Sequence, residues 1–194
     1  MNQTAFRSTI ALVLGSLCVQ PALAAPSSQD AIETGQVEEE GSNISWGRAV
    51  STFDQPMDQV LPVVLDYGNY KQFMPNFLKS RVLAQRGNKA MVYMEVGVMK
   101  GTFTLWGQVK ISERPAKDGA KARIIDAGLV EGNMDEFRAQ WKLTPVDGGK
   151  KTRVDFMIYV DPDMPLPSSV FTRENVKAAK KTVRALRKRV ATAS

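Results

Sequence analysis

Apolar and polar positions follow two different periods along this chain. From Leu78 to Val160 they alternate, and from Ser168 to Ala191 apolar residues return every three or four positions. Alternation belongs to a strand with one face covered, and the longer step belongs to a helix. Val92, Met94, Val96 and Val98 point one way. Phe103, Leu105, Val109 and Ile111 do the same on the next run, as do Phe137, Ala139, Trp141 and Leu143, and then Val154, Phe156, Ile158 and Val160. Turn signals at Gly87-Asn88, Lys100-Gly101, Asp118-Gly119, Gly132-Asn133 and Asp147-Gly148-Gly149 separate the runs. The pattern predicts antiparallel strands over 78–85, 90–98, 103–112, 122–130, 136–144 and 152–160, joined mostly by hairpins.

Ahead of these, Ile44–Phe53 reads as a further strand, giving seven. Pro56 then opens a helix with Val60, Leu61, Val64 and Leu65 on its apolar face and Asp54 as its expected cap. Gly68 is its expected left-handed stop. A second short helix carries Tyr70 and Phe73, with Asn69 and Gln72 placed as a capping pair and Pro75 as its end. The terminal helix starts after Pro165 and Pro167. Val176, Ala179, Val183, Leu186 and Val190 form its core seam, and Ala178, Thr182 and Ala185 form a narrow strip beside it. It is the only long helix that could cover the sheet, and its small side chains leave room for a cavity.

Charge changes the picture at both ends. No Lys or Arg occurs from Ser8 to Gly47, while Asp30, Glu33, Glu38, Glu39 and Glu40 lie among Ser, Gly and Gln. Residues 25–43 are therefore expected to be a disordered acidic leader. Of 26 basic and 20 acidic residues, the body from Arg48 onward keeps 25 and 15. Lys177, Lys180, Lys181, Arg184, Arg187 and Lys188 fall on the far side of the last helix. That edge reads either as a solvated face or as a surface for anionic lipid headgroups or an acidic partner. Nucleic acid is not expected as a partner, and oligomeric state is open.

Arg7, the apolar run Ile10–Val19 and Ala22-Leu23-Ala24 have the layout of an export signal cleaved near Ala24, which places the mature protein in the periplasm or outside the cell. The one cysteine, Cys18, lies inside that signal behind Leu17, which does not suit a lipid anchor. The chain has no histidine. Disulfides, thiolate chemistry, Cys/His metal sites and histidine bases are thereby excluded from the mature chain, and neither cofactor nor metal is expected. Glu95, Asp126 and Asp155, with Tyr93 and Tyr159, are the remaining strand residues with acid–base chemistry; parity puts Tyr93, Glu95, Asp155 and Tyr159 on the solvent face, and no catalytic residue is assigned.

The order of strand, two short helices, six strands and long helix, with Asp66-Tyr67-Gly68-Asn69-Tyr70 and Phe73-Met74-Pro75, resembles the START-like helix-grip superfamily. Trp141-Lys142-Leu143-Thr144-Pro145 and Thr152-Arg153-Val154-Asp155-Phe156 resemble its polyketide cyclase/dehydrase and coenzyme Q-binding branch. The resemblance covers about 44–190 and implies an α+β fold, a seven-stranded antiparallel sheet curved around the terminal helix. It also implies a cavity for a lipid, sterol, quinone or polyketide. The residues expected to line it are Met94, Val96, Leu105, Phe137, Trp141, Phe156, Ile158, Val183 and Leu186; Lys177, Lys180, Lys181, Arg184 and Lys188 are the expected membrane or partner surface. Three readings follow: an exported carrier of a hydrophobic molecule, an interaction module whose cavity is filled by side chains, and a cyclase-like enzyme.

Overall fold

The computed structural model describes residues 31–117, 121–162 and 164–193. The expected export signal, Cys18 and the Asp118-Gly119 turn lie outside them. Eight antiparallel strands form one sheet in the order β1-β2-β8-β7-β6-β5-β4-β3. They are β1 Glu33–Val37, β2 Trp46–Phe53, β3 Phe77–Arg86, β4 Lys89–Val98, β5 Phe103–Pro115, β6 Arg123–Gly132, β7 Glu136–Val146 and β8 Lys151–Asp161. Helices α1 (Met57–Leu65) and α2 (Tyr70–Phe73) follow β2, and α3 (Ser168–Ala193) closes the chain. The helix-grip α+β architecture and the alternating strand faces are those the sequence predicts.

The eighth strand corrects the leader. Residues 33–37 pair with β2 from Glu33↔Val50 to Val37↔Trp46, and Ile32 packs on the main core. One of the acids that suggested a solvated chain, Glu39, has partners here. The Glu39 carboxylate accepts the Trp46 indole N–H at 2.5 Å and an Arg138 N–H at 2.9 Å, which lowers its pKa. Backbone pairing needs no apolar periodicity, so composition alone did not show it.

Several local expectations also change. Asp54 does not cap α1; Pro56 holds the N-cap position and Asp54 pairs with Lys151 at 2.9 Å. Asp66, not Gly68, ends α1, and Gly68 lies in a single 3-10 turn. Asn69 and Gln72 bond each other at 2.8 Å and make no capping bond to the backbone. Tyr159, expected on a solvent face, is buried. Its ring packs with Trp46 and beneath the Arg138 guanidinium, and its hydroxyl shares a 2.8 Å bond with Ser42.

The seating of α3 positions everything else. Its buried seam is Phe171, Asn175, Ala179, Val183, Leu186 and Val190. Steps of four from Ala179 back along the chain lead to Asn175 and Phe171, so Val176 is displaced to a half-buried position facing a shallow groove beside Gln36 and Thr172. Helix and sheet approach most closely at Gly47 in β2, where a Cβ would fall 2.1 Å from the backbone carbon of Asn175. Only glycine permits that approach. Ser45 N–H donates to Thr172 Oγ1 at 3.0 Å and Asn175 Nδ2 donates to Ser45 O at 3.1 Å, tying helix to strand on either side of the contact. At the other end, Val183, Leu186 and Val190 join Val60 and Val64 of α1 in the core, and the Arg187 and Arg189 guanidinium groups lie over the Phe53 and Phe73 rings. Arg187 also bonds Ser51, so it is turned toward β2 instead of completing the outer basic edge.

Candidate ligand cavity

Between these two anchorages the sheet curves away from the N-terminal half of α3 and leaves a cavity of about 560 Å³. Strands β4 to β8 build its wall because alternate residues of each face the helix. Met94 and Val96 come from β4, Leu105 and Ile111 from β5, Ile125 from β6, Phe137 and Trp141 from β7, and Phe156 and Ile158 from β8. The Trp141 and Phe156 rings pack in a tilted pair with centroids 4.1 Å apart. Across from them, Ala178 and Thr182 of α3 supply the narrow strip that holds the space open. Gly97 and Gly107 lower the wall further.

Seven of the nine expected lining residues are therefore brought together: Met94, Val96, Leu105, Phe137, Trp141, Phe156 and Ile158. Val183 and Leu186 are not. Both are fully buried in the packed core beneath the C-terminal half of α3, one side of the helix away from Ala178 and Thr182. The sequence pattern treated the inner faces of both halves as one surface, whereas only the first half overlies the void. A cavity of this size among apolar walls contradicts the filled-core version of the interaction-module reading.

The mouth gathers at one end of the sheet. Met99 and Lys100 on the β4–β5 hairpin, Met134 between β6 and β7, Pro162 and Met164 after β8, and Asn76 after α2 frame it. Lys177 and Lys181 line its helical side, with Glu174 paired to Lys177 at 2.7 Å. Lys177, Lys181, Arg184 and Lys188 are spaced by four, three and four residues, so they form one stripe beside the opening, while Lys180 lies farther round the helix; all five are exposed. Phe103, exposed and two residues beyond Leu105 on the same face of β5, adds an apolar group at that rim.

Three further polar residues face the interior, and none of them is among the lining residues expected from the sequence. Tyr70, noted only as an apolar helix residue, donates its hydroxyl to Val64 O at 2.6 Å; burial first, then Tyr67 and Asp66, raise its pKa. Tyr67 packs edge-on to Tyr70 and is 6% exposed, and burial with the nearby Glu113 charge pushes its phenol up to about 12. Asn175 donates to two carbonyls, Ser45 O and Val160 O, which fixes which end of its amide carries nitrogen. In the sequence Tyr67 belongs to a turn motif, and Asn175 interrupts the apolar seam with a polar residue although the helical spacing passes through it.

The carboxylates considered for acid–base chemistry sit outside the cavity. Glu95 takes the Tyr93 hydroxyl at 2.6 Å and Lys79 at 2.9 Å, bonds that lower its pKa in that order. Asp126 takes Arg114 at 2.8 Å and Gln140 at 2.7 Å, and Asp155 takes Arg48 in a two-pronged pair. Among the described residues no cluster of three or more Asp, Glu, His or Cys could hold a metal ion.

A family described as polyketide cyclase / dehydrase and lipid transport matches residues 53–187, which includes every strand of the cavity wall and most of α3. The chain belongs to this family. Among solved structures, this polyketide cyclase/lipid transport family member is similar to a STAR-related lipid transfer protein fragment from Xanthomonas axonopodis, with 20% identity, TM-score 0.72, and coverage of 87% of this chain and 97% of the other. Human StAR-related lipid transfer protein 5 has 12% identity and TM-score 0.71 over 84% of this chain and 83% of its own. The Zhui aromatase/cyclase of Streptomyces sp. R1128 has 14% identity and TM-score 0.55 over 75% and 93%. At these identities the likeness is one of fold. No curated protein matches the chain by sequence.

Proposed function

We propose that this protein is an exported carrier that holds a hydrophobic small molecule between its sheet and α3. The observation that carries the proposal is the apolar cavity of about 560 Å³ with a defined mouth, a volume in the range that encloses small organic ligands. Family membership agrees with it, since lipid transport is part of the family's description. Export is supported by Arg7, the apolar run 10–19 and the small residues Ala22 and Ala24. A carrier is favoured over an enzyme because the strand carboxylates Glu95, Asp126 and Asp155 are engaged with Lys79, Arg114 and Arg48 away from the cavity.

The test is native mass spectrometry of the protein purified from cells that naturally make it. A reproducible apolar adduct is expected, and Ala178→Trp, which projects an indole into the space from α3, should release it without unfolding the protein. Protein that is consistently empty, or an adduct retained by Ala178→Trp, would refute the assignment.

A further inference from the structure

Tyr67 and Tyr70 stand side by side with ring centroids 5.9 Å apart, yet their hydroxyls are used differently. Tyr70 spends its proton on the Val64 carbonyl. Among the described residues nothing accepts a hydrogen bond from the Tyr67 hydroxyl, although the residue is 94% buried, being 6% exposed, and lines the cavity. That hydroxyl opens on the cavity and is not sealed in the protein, so against an apolar guest that brings no acceptor it forfeits about as much as a hydrogen bond is worth. It gains that back when an acceptor arrives.

Tyr67 also has a defined place along the cavity. The mouth lies at the hairpin end of β5, near Leu105, whereas Ile111 lies at the other end of the lined stretch. Glu113 is two residues past Ile111 on the same face and opposite Ile125, and Arg123, two residues before Ile125, donates its Nε–H to Glu113 at 2.8 Å. That ion pair lies beyond Ile111 and Ile125 on the strands, and the Glu113 charge acts on Tyr67. The carboxylate is held by Arg123, so its field discourages ionisation of the phenol without taking its proton. Tyr67 thus stays a donor across the physiological range.

Building on the carrier reading above, we propose that the Tyr67 hydroxyl recognises an acceptor oxygen on the innermost part of the ligand, so that the occupant is an oxygenated apolar molecule with a carbonyl or ether oxygen at its buried end. A plain hydrocarbon tail at that end leaves the phenol unsatisfied and is selected against.

The experiment measures equilibrium dialysis of two shape-matched probes, 9-fluorenone and fluorene, against the full folded chain and its Tyr67→Phe variant. Only the carbonyl differs between the probes. Because the hydroxyl has no acceptor in the protein, Tyr67→Phe should keep the wild-type urea midpoint. Fluorenone should bind the variant about fivefold more weakly than wild type, the factor that one net hydrogen bond supplies, with fluorene unchanged. Equal losses for both probes, or no loss for fluorenone, would overturn the role of Tyr67 and leave the carrier assignment in place. Failure of both probes to bind wild type would overturn the carrier assignment and this proposal together.

Discussion

Replacing Gly47 by alanine tests whether the helix is seated as described. The added Cβ would lie 2.1 Å from both the carbonyl carbon and oxygen of Asn175 and 2.4 Å from the nitrogen of Val176. Ordinary contact begins near 3.4 Å, so the shortfall is about 1.3 Å. The opposing atoms are helix backbone, which cannot rotate aside as a side chain would. The helix must therefore lift as a body. Two tethers, Ser45 N–H to Thr172 Oγ1 at 3.0 Å and Asn175 Nδ2 to Ser45 O at 3.1 Å, would then exceed hydrogen-bonding distance. Overpacking costs about 1–3 kcal/mol and each lost bond about 1 kcal/mol. The expected loss is thus about 3–5 kcal/mol, a large part of the total stability of an ordinary domain, with a fall in Tm of about 10 °C. Urea titration followed by far-UV circular dichroism measures it. Gly35→Ala on β1 is the control, because nothing lies within 4 Å of its new methyl. A Gly47→Ala variant within 1 kcal/mol of wild type, on the order of a surface substitution, would refute the close approach of α3 to β2.

The two neighbouring tyrosines should separate in stability measurements: Tyr70→Phe strands the Val64 carbonyl and should cost about 1–3 kcal/mol, whereas Tyr67→Phe should be close to neutral in urea titrations at pH 7. Both phenols ionise less readily in the folded state than in the unfolded one, so their contribution is intact below pH 10 and declines as the pH rises toward and through 12. Over that window wild type should lose stability more steeply than Tyr67→Phe, and parallel curves would count against the buried phenol. The stripe of Lys177, Lys181, Arg184 and Lys188 is expected to draw the mouth to anionic vesicles, at about 1 kcal/mol per cation near the surface. Reversing all four to Glu should abolish co-sedimentation with phosphatidylglycerol vesicles, and undiminished binding would show that another face makes the contact.

Much of this was readable in the sequence because strands covered on one face announce their parity. The inward sets of β4, β5, β7 and β8 hold in the structure, and seven of the expected lining residues meet in one place. What parity does not report is distance. Val183 and Ala178 both lie on the inner side of α3, but one fills a packed core and the other borders a void, and the difference is set by where the sheet bends. A β-bulge between β5 and β6, where Val130 is extra, shows the same limit. It leaves Val130 56% exposed within a stretch that reads as continuous strand. The β1 strand escaped notice for another reason, since its five side chains are all exposed and only its backbone joins the fold.

The void itself follows from anchors that hold the backbone apart and side chains too short to fill the gap. Gly47 and Asn175 fix α3 at β2, Leu186 and Val190 fix it at α1, and the short side chains of Ala178, Ala127 and Ala139 line the space between. If a space of 560 Å³ were a sealed dry cavity, it would cost about 13 kcal/mol at the rate measured for voids left by core truncations. That is comparable to the whole stability of an ordinary domain. A stable fold therefore requires that the space be filled through its mouth, by water or by a guest. Water against Met94, Trp141 and Phe156 is poorly hydrogen-bonded, so an apolar guest displaces it favourably. The anchors at Gly47 and at α1 make no use of that guest. On the proposed carrier reading, contents can therefore be exchanged without dismantling the contacts that keep α3 in place.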